Sequence, residues 1–135
     1  HICEIQQELN KVTKLRIKFS FNPHILPIFR GMVSTIYCDL NTNIKKNQVI
    51  ECLNNFFSNK YFVKILKNED KADLYAIQST NYCLIKMFDH YDETKIILVS
   101  VIDNLLKGAS GQAVQCMNIM CGIEENIGLD NLNCE

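Results

Sequence analysis

The sequence predicts an α+β domain: a mixed or antiparallel sheet covered by helices. Two observations carry this prediction. Strand-like runs at residues 82–88 and 95–102 flank the turn-like His90-Tyr91-Asp92-Glu93-Thr94, which reads as an antiparallel hairpin. Helical and strand-like stretches are interspersed, yet this hairpin is the clearest strand pair, which disfavours a doubly wound parallel sheet. The 135 residues suffice for one domain and would be cramped for two.

Each element follows from its residues. Ile2, Ile5, Leu9 and Val12 recur at offsets of three and four, so residues 2–12 form an amphipathic helix. Residues 15–21 alternate apolar and polar, as a half-buried strand does, until Asn22-Pro23 ends them. Val33, Thr35, Ile36 and Tyr37 make residues 31–40 a long strand, and Asn41-Thr42-Asn43 turns the chain. Asn47 caps a helix through Phe57, with Val49, Ile50, Leu53, Phe56 and Phe57 on one face. Residues 61–66 form a short strand, 67–73 a polar loop and 74–77 a brief strand. After the hairpin, residues 108–120 form a helix with Ala109, Ala113, Val114, Met117 and Met120 on a face, and Gly122 ends it. The tail from Ile123 is polar and its end is expected to fray.

Composition excludes several classes. With 47% hydrophobic and 21% charged residues, the chain is not disordered. Fourteen basic against fifteen acidic side chains leave no basic excess for nucleic acid. No apolar run approaches the about 18 residues of a membrane span. The chain opens on His1 rather than Met, as a processed or cloned fragment would.

Seven cysteines stand at 3, 38, 52, 83, 116, 121 and 134, an odd count without C-x-x-C spacing. Reduced thiols in a reducing compartment are expected, with a secreted disulfide scaffold as the alternative. Five lie in apolar patterns, where free cysteines act as small buried hydrophobes; Cys83 and Cys116 in particular read as buried and inert.

The stretch richest in chemistry is 103–115, Asp-Asn-Leu-Leu-Lys-Gly-Ala-Ser-Gly-Gln-Ala-Val-Gln. An apolar strand delivers the Asp103-Asn104 pair, and a small-residue turn then opens a helix. Gly108 and Gly111 let a backbone or ligand come close. A helix start suits an anion or a polarised carbonyl, and an Asn amide can read a carboxamide. The alternative is an Asn turn with glycines serving only tight helix packing.

This stretch resembles the C-terminal signature of the semialdehyde dehydrogenase superfamily, and most closely its N-acetyl-gamma-glutamyl-phosphate reductase family. Three further segments agree in order. His-Ile-Cys-Glu-Ile-Gln-Gln-Glu-Leu at 1–9 is similar to that family's His-x-His-Thr-Pro-Glu-Ile-x-Gln-Glu-Leu run, entered at its second His. Phe-Asn-Pro-His-Ile-Leu-Pro-Ile-Phe-Arg-Gly-Met at 21–32 is similar to its Phe-Thr-Pro-His-Leu-Val-Pro-Met-x-Arg-Gly-Ile run. Asn81-Tyr82-Cys83 stands where the family has Asn-Phe-Cys. The resemblance runs from His1 to about Leu129.

The resemblance implies the C-terminal fold of glyceraldehyde-3-phosphate dehydrogenase-like enzymes. It also implies an NADPH-dependent reduction of an acyl phosphate to an aldehyde, in arginine biosynthesis, through a Cys thioester with a His relaying protons. The nucleophile and the dinucleotide-binding unit would lie N-terminal to this region; the chain contains no G-x-G-x-x-G. Residues 1–107 would then be the substrate-binding and oligomerisation domain of a homo-oligomer, dimer or tetramer. Residues 108–135 would be a C-terminal helix and tail returning to the cofactor domain, and the fragment alone would be inactive. A cytoplasmic location is implied, or an organelle stroma or matrix in a eukaryote.

The implied site residues each have a structural alternative. His1 is the catalytic acid/base, or a substrate contact if the family's preceding His holds that role. Glu4 lies one turn along and orients His1 or binds substrate, against a solvated helix carboxylate. His24 sits between two prolines and contacts substrate or merely packs. Arg30 suits the substrate's anionic groups, against a structural salt bridge. Asn104, Lys107 and Gly108 meet the cofactor, Asn104 at the nicotinamide carboxamide, with a surface lysine as the alternative for Lys107. No metal ligand set is singled out. Ile2-Cys3 replaces the family's Thr-Pro and loses its proline at the helix entry. An aminoadipyl or aspartyl phosphate as substrate, and a non-catalytic oligomerisation module, are the competing readings.

Overall fold

The computed structural model describes residues 1–13, 15 and 17–130. Its helices are Ile2–Val12 (α1), Lys46–Phe57 (α2), Leu74–Ile77 (α3) and Gly111–Met120 (α4). Its strands are Met32–Asp39 (β1), Val63–Ile65 (β2), Cys83–Asp89 (β3) and Lys95–Ile102 (β4). They form one mixed sheet in the order β1-β4-β3-β2, with β4 antiparallel to both neighbours and β2 parallel to β3. The predicted α+β class and hairpin are therefore present. No helix among the described residues is long and apolar enough to cross a membrane.

The apolar β4 is central, and Ile96 and Val101 on it are buried together with Phe62, Ile77 and Leu129. Phe62 meets Tyr61 and Tyr82 edge-on, with ring centroids 5.0 and 5.4 Å away. Register puts Thr35, Val99 and Lys86 side by side on one sheet face. There Lys86 is buried, and its ammonium donates to the carbonyl of Asn68 at 2.9 Å and to that of Asp70. That lysine ties the polar loop 67–73 over the sheet. β1 is an edge strand, with Met32, Val33, Ile36 and Tyr37 exposed.

Several expectations are corrected. The described part of 15–21 forms no strand. Alternation marks one-sided exposure, but a strand also needs a partner, and the described residues of this run pair with neither edge of the sheet, β1 or β2. Positions 14 and 16 lie outside the described residues. Residues 74–77 form a helical turn, capped by the Asp73 carboxylate, which accepts the N–H of Tyr75 at 2.9 Å; periodicity alone cannot assign so short an apolar run. Helix α2 starts two residues early: Lys45, not Asn47, is its N-cap, and the Gln48 side chain accepts the Lys45 N–H at 2.8 Å. Phe56 points away from the half-buried face made by Val49, Ile50, Leu53 and Phe57.

The last helix departs most. Its first turn, Leu106–Ser110, is wound with i→i+5 bonds, and regular α-helix begins only at Gly111. The buried side of α4 is Gly111, Gln115 and Asn118, while Val114, Met117 and Met120 are exposed. The predicted apolar face thus points outward, because polar partners wait inside. Nor are the described cysteines buried: Cys3, Cys52, Cys116 and Cys121 are exposed, Cys38 and Cys83 half-buried, and all six are free. Cys134 and the end of the tail lie outside the described residues. Gly122 ends α4 at φ +70, as predicted.

Candidate functional site

At the end of β4 three remote segments meet on one carboxylate. Asp103 is fully buried. Its Oδ1 accepts the N–H groups of Leu105 and Leu106 at 2.9 and 3.1 Å, which caps the wide turn. Its Oδ2 accepts the Ser79 N–H at 2.8 Å and pairs with Arg30 Nη2 at 2.6 Å. Burial works against the charge, but the Arg30 guanidinium and the three N–H donors outweigh it and hold the carboxyl below the usual range. Ser79 sits at φ +60, a conformation that a non-glycine residue adopts only where surroundings enforce it.

The next residue repeats the connection. Asn104 Oδ1 accepts the Gly31 N–H at 2.6 Å. An N–H can only donate, so the amide oxygen faces Gly31 and the NH₂ of Asn104, an exposed residue, is left to donate elsewhere. Gly31 lies at φ +115, and a Cβ there would stand 2.6 Å from Leu74 Cδ2. Only glycine gives the backbone this approach. Gln78 Nε2 donates to the Arg30 carbonyl at 3.2 Å and fixes the same segment from the other side.

Behind the turn lies a buried polar chain. Lys107 Nζ donates to Gln112 Oε1 at 2.6 Å and Gln115 Oε1 at 2.7 Å, and stands 5.9 Å above the Phe62 ring. Burial lowers its pKa from the ordinary lysine value. Gln115 Oε1 also accepts from Asn81 Nδ2 at 3.1 Å, and Gln115 Nε2 donates to Glu125 Oε2 at 2.6 Å.

The structure thus brings Arg30, Asn104 and Gly108 to one end of the sheet. Arg30 is engaged in the salt bridge, and the Lys107 ammonium is turned into the fold. His1 and Glu4 sit on α1, where Nδ1 of His1 lies 3.2 Å from Oε2 of Glu4 with both side chains exposed. His24 is on an exposed loop. Among the described residues no hydrogen bond or ion pair links these three to Asp103 or Asn104. No group of three metal-ligating side chains occurs among the described residues either. Sequence reasoning left Asp103, Ser79, Asn81 and Gln115 without roles, although Asp103 and Gln115 lie in the 103–115 stretch and Asn81 in the Asn-Tyr-Cys segment; nothing marked Ser79.

The fold is one found among solved semialdehyde dehydrogenases. Aspartate semialdehyde dehydrogenase II from Vibrio cholerae shares the fold, with a TM-score of 0.57 and 20% identity, over 72% of this chain and 29% of that one. The semialdehyde dehydrogenase dimerisation domain family matches residues 1–104, and the chain belongs to it. Among its relatives, N-acetyl-gamma-glutamyl-phosphate reductase of Thermoanaerobacter pseudethanolicus is 44% identical over 130 residues, 96% of this chain and 38% of the relative. The protein of that name from Brachyspira hyodysenteriae is 44% identical over 133 residues, and that from Methanococcus maripaludis 40% over 129. The chain spans less than two fifths of the length of these relatives.

Proposed function

We propose that the chain is the substrate-binding and dimerisation domain of a reductase that converts N-acetyl-glutamyl 5-phosphate and NADPH to the semialdehyde, phosphate and NADP in arginine biosynthesis. The observation that carries this reading is the Asn104 amide. It stands in the Asp-Asn-Leu-Leu-Lys-Gly stretch, held by the Gly31 N–H with its NH₂ directed away. Such a fixed donor fits a carboxamide oxygen, the nicotinamide end of the cofactor, which when bound supplies the hydride. Gly108 offers an exposed, side-chain-free approach beside it. Lys107 fits the cofactor less well, since two glutamine oxygens already take its ammonium.

Residues 1–107 bind substrate and form the oligomer in this reading. His1 serves as acid/base, and Glu4 holds its ring by the 3.2 Å contact. His24 and Arg30 contact substrate, Arg30 with the guanidinium edge that Asp103 leaves over. Residues 108–135 return to the cofactor domain, and the outward apolar side of α4 supports this, because exposed Val114, Met117 and Met120 need a cover. The fragment alone has no activity, and the enzyme works in the cytoplasm or an organelle interior.

The test is NADPH oxidation by the full-length protein with N-acetyl-glutamyl, aminoadipyl and aspartyl phosphates in turn. A clear preference for the first, in kcat/KM, supports the reading; no turnover with any of the three sinks it. One methylene separates the glutamyl and aminoadipyl compounds, so a preference of about 10- to 200-fold is the expected range.

A further inference from the structure

We propose that Asp103 is a positioning residue for the Asn104 amide, acting through the clamp it closes on Arg30-Gly31. The inference rests on the cofactor role given to Asn104 above and extends it to a buried group that touches neither substrate nor cofactor.

Capping the turn needs only one acceptor oxygen, and Oδ1 supplies it to Leu105 and Leu106. An asparagine or serine would do as much. The second oxygen serves something else. It gathers the Ser79 N–H and Arg30 Nη2, from two loops remote in sequence. Arg30 so held places the following residue, Gly31, whose N–H orients the amide of Asn104, the neighbour of Asp103 itself. The ring of contacts runs Asp103, Arg30, Gly31, Asn104 and back along the chain to Asp103. Each member limits the others. A buried carboxylate is costly to keep charged, so a fold that needed only a turn cap would have little cause to bury one.

The test uses the full-length protein and four versions: unaltered, Asp103→Asn, Asn104→Ala and the double variant. Asparagine keeps the size and Oδ1 but sets an NH₂ against Ser79 N–H and Arg30 Nη2. Asp103→Asn and Asn104→Ala are each expected to raise the KM for NADPH about tenfold, the size of one lost hydrogen bond. The double variant should be no worse than the more impaired single one, because both act on one interaction. Effects that multiply, or an unchanged KM alongside a lowered melting temperature, would show a purely structural carboxylate and overturn the proposal. Should Asp103→Asn fail to fold, Arg30→Met opens the clamp from its other side, and the same cycle with Asn104→Ala applies. Hydrogen exchange at the Gly31 N–H, followed by NMR, reads the clamp without turnover. Exchange at least about tenfold faster in either variant supports the proposal, and unchanged exchange refutes it. A protein inactive on every acyl phosphate but with this faster exchange would sink the reductase reading while leaving the clamp in place.

Discussion

Asn104 and Gly31 stand 73 positions apart in the chain, yet a 2.6 Å hydrogen bond joins the side-chain oxygen of one to the backbone N–H of the other. The bond exists because β1 and β4 pair in full register, Met32 opposite Ile102, so the residue before β1 and the turn after β4 share one end of the sheet. Two residues in one motif therefore depend on a loop far from it.

The two glycines of that motif should separate on substitution. A Cβ on Gly111 would lie 2.4 Å from Asn81 Oδ1 and 3.0 Å from the Leu106 carbonyl oxygen. Gly111→Ala is expected to cost about 1–3 kcal/mol, read as a lowered urea midpoint. On Gly108 the first neighbours are Ile102 Cδ1 at 3.6 Å and Asn104 Cβ at 3.7 Å, an ordinary contact. Gly108→Ala should leave the midpoint unchanged while raising the KM for NADPH in the full-length protein. A falling midpoint there would remove the cofactor assignment of Gly108.

Lys86 makes a separate prediction. Its buried ammonium donates to two loop carbonyls and stands 5.0 Å from the Phe88 ring centroid. Lys86→Met keeps the length but strands both carbonyls, and a loss of about 1–3 kcal/mol is expected. Limited proteolysis should then cut within residues 67–73 sooner than in the unaltered protein.

Acid should reveal Asp103. Its carboxyl is held below the ordinary value in the folded state by Arg30 and three N–H groups, against the opposing effect of burial. A depressed pKa contributes stability above the unfolded value of about 3.9, and that contribution is lost as pH falls through the folded value. The difference in unfolding free energy between the unaltered protein and Asp103→Asn should therefore shrink on going from about pH 5 to about pH 3. A difference constant across that range would mean that the carboxylate does not titrate with folding.

Thiol exposure is directly readable. Cys3, Cys52, Cys116 and Cys121 are exposed, and Cys38 is half-buried, with its thiol pKa raised by burial and by Asp39. Brief iodoacetamide treatment of the native domain followed by peptide mapping should find the first four modified ahead of Cys38 and Cys83. Equal labelling of all six would contradict the placement of Cys38 and Cys83.

Much of the fold was legible because periodicity reports it. The hairpin, β1, α1 and the body of α2 all announce themselves by spacing. The misreadings share one cause: a pattern shows which side is apolar, not which partner is present. Residues 15–21 alternate, yet the described ones pair with no strand. The apolar side of α4 is real yet faces outward, since Gln115 and Asn118 carry the inward contacts. At the site the motif singled out Asn104. Asp103 stayed without a role because its partners, Ser79 and Arg30, come together only through the sheet order.

That order also sets a sequence of events. β3 and β4 are joined by a short turn, so they can zip together locally, whereas β1 must close the long segment 40–94 to reach β4. The strand that carries Arg30 and Gly31 to their partners is thus the late arrival in assembly. In the native protein it is one of the two edge strands of the sheet. The clamp is consequently seated at the end of an edge strand, and a surface apposed to that edge would be felt directly at Asn104.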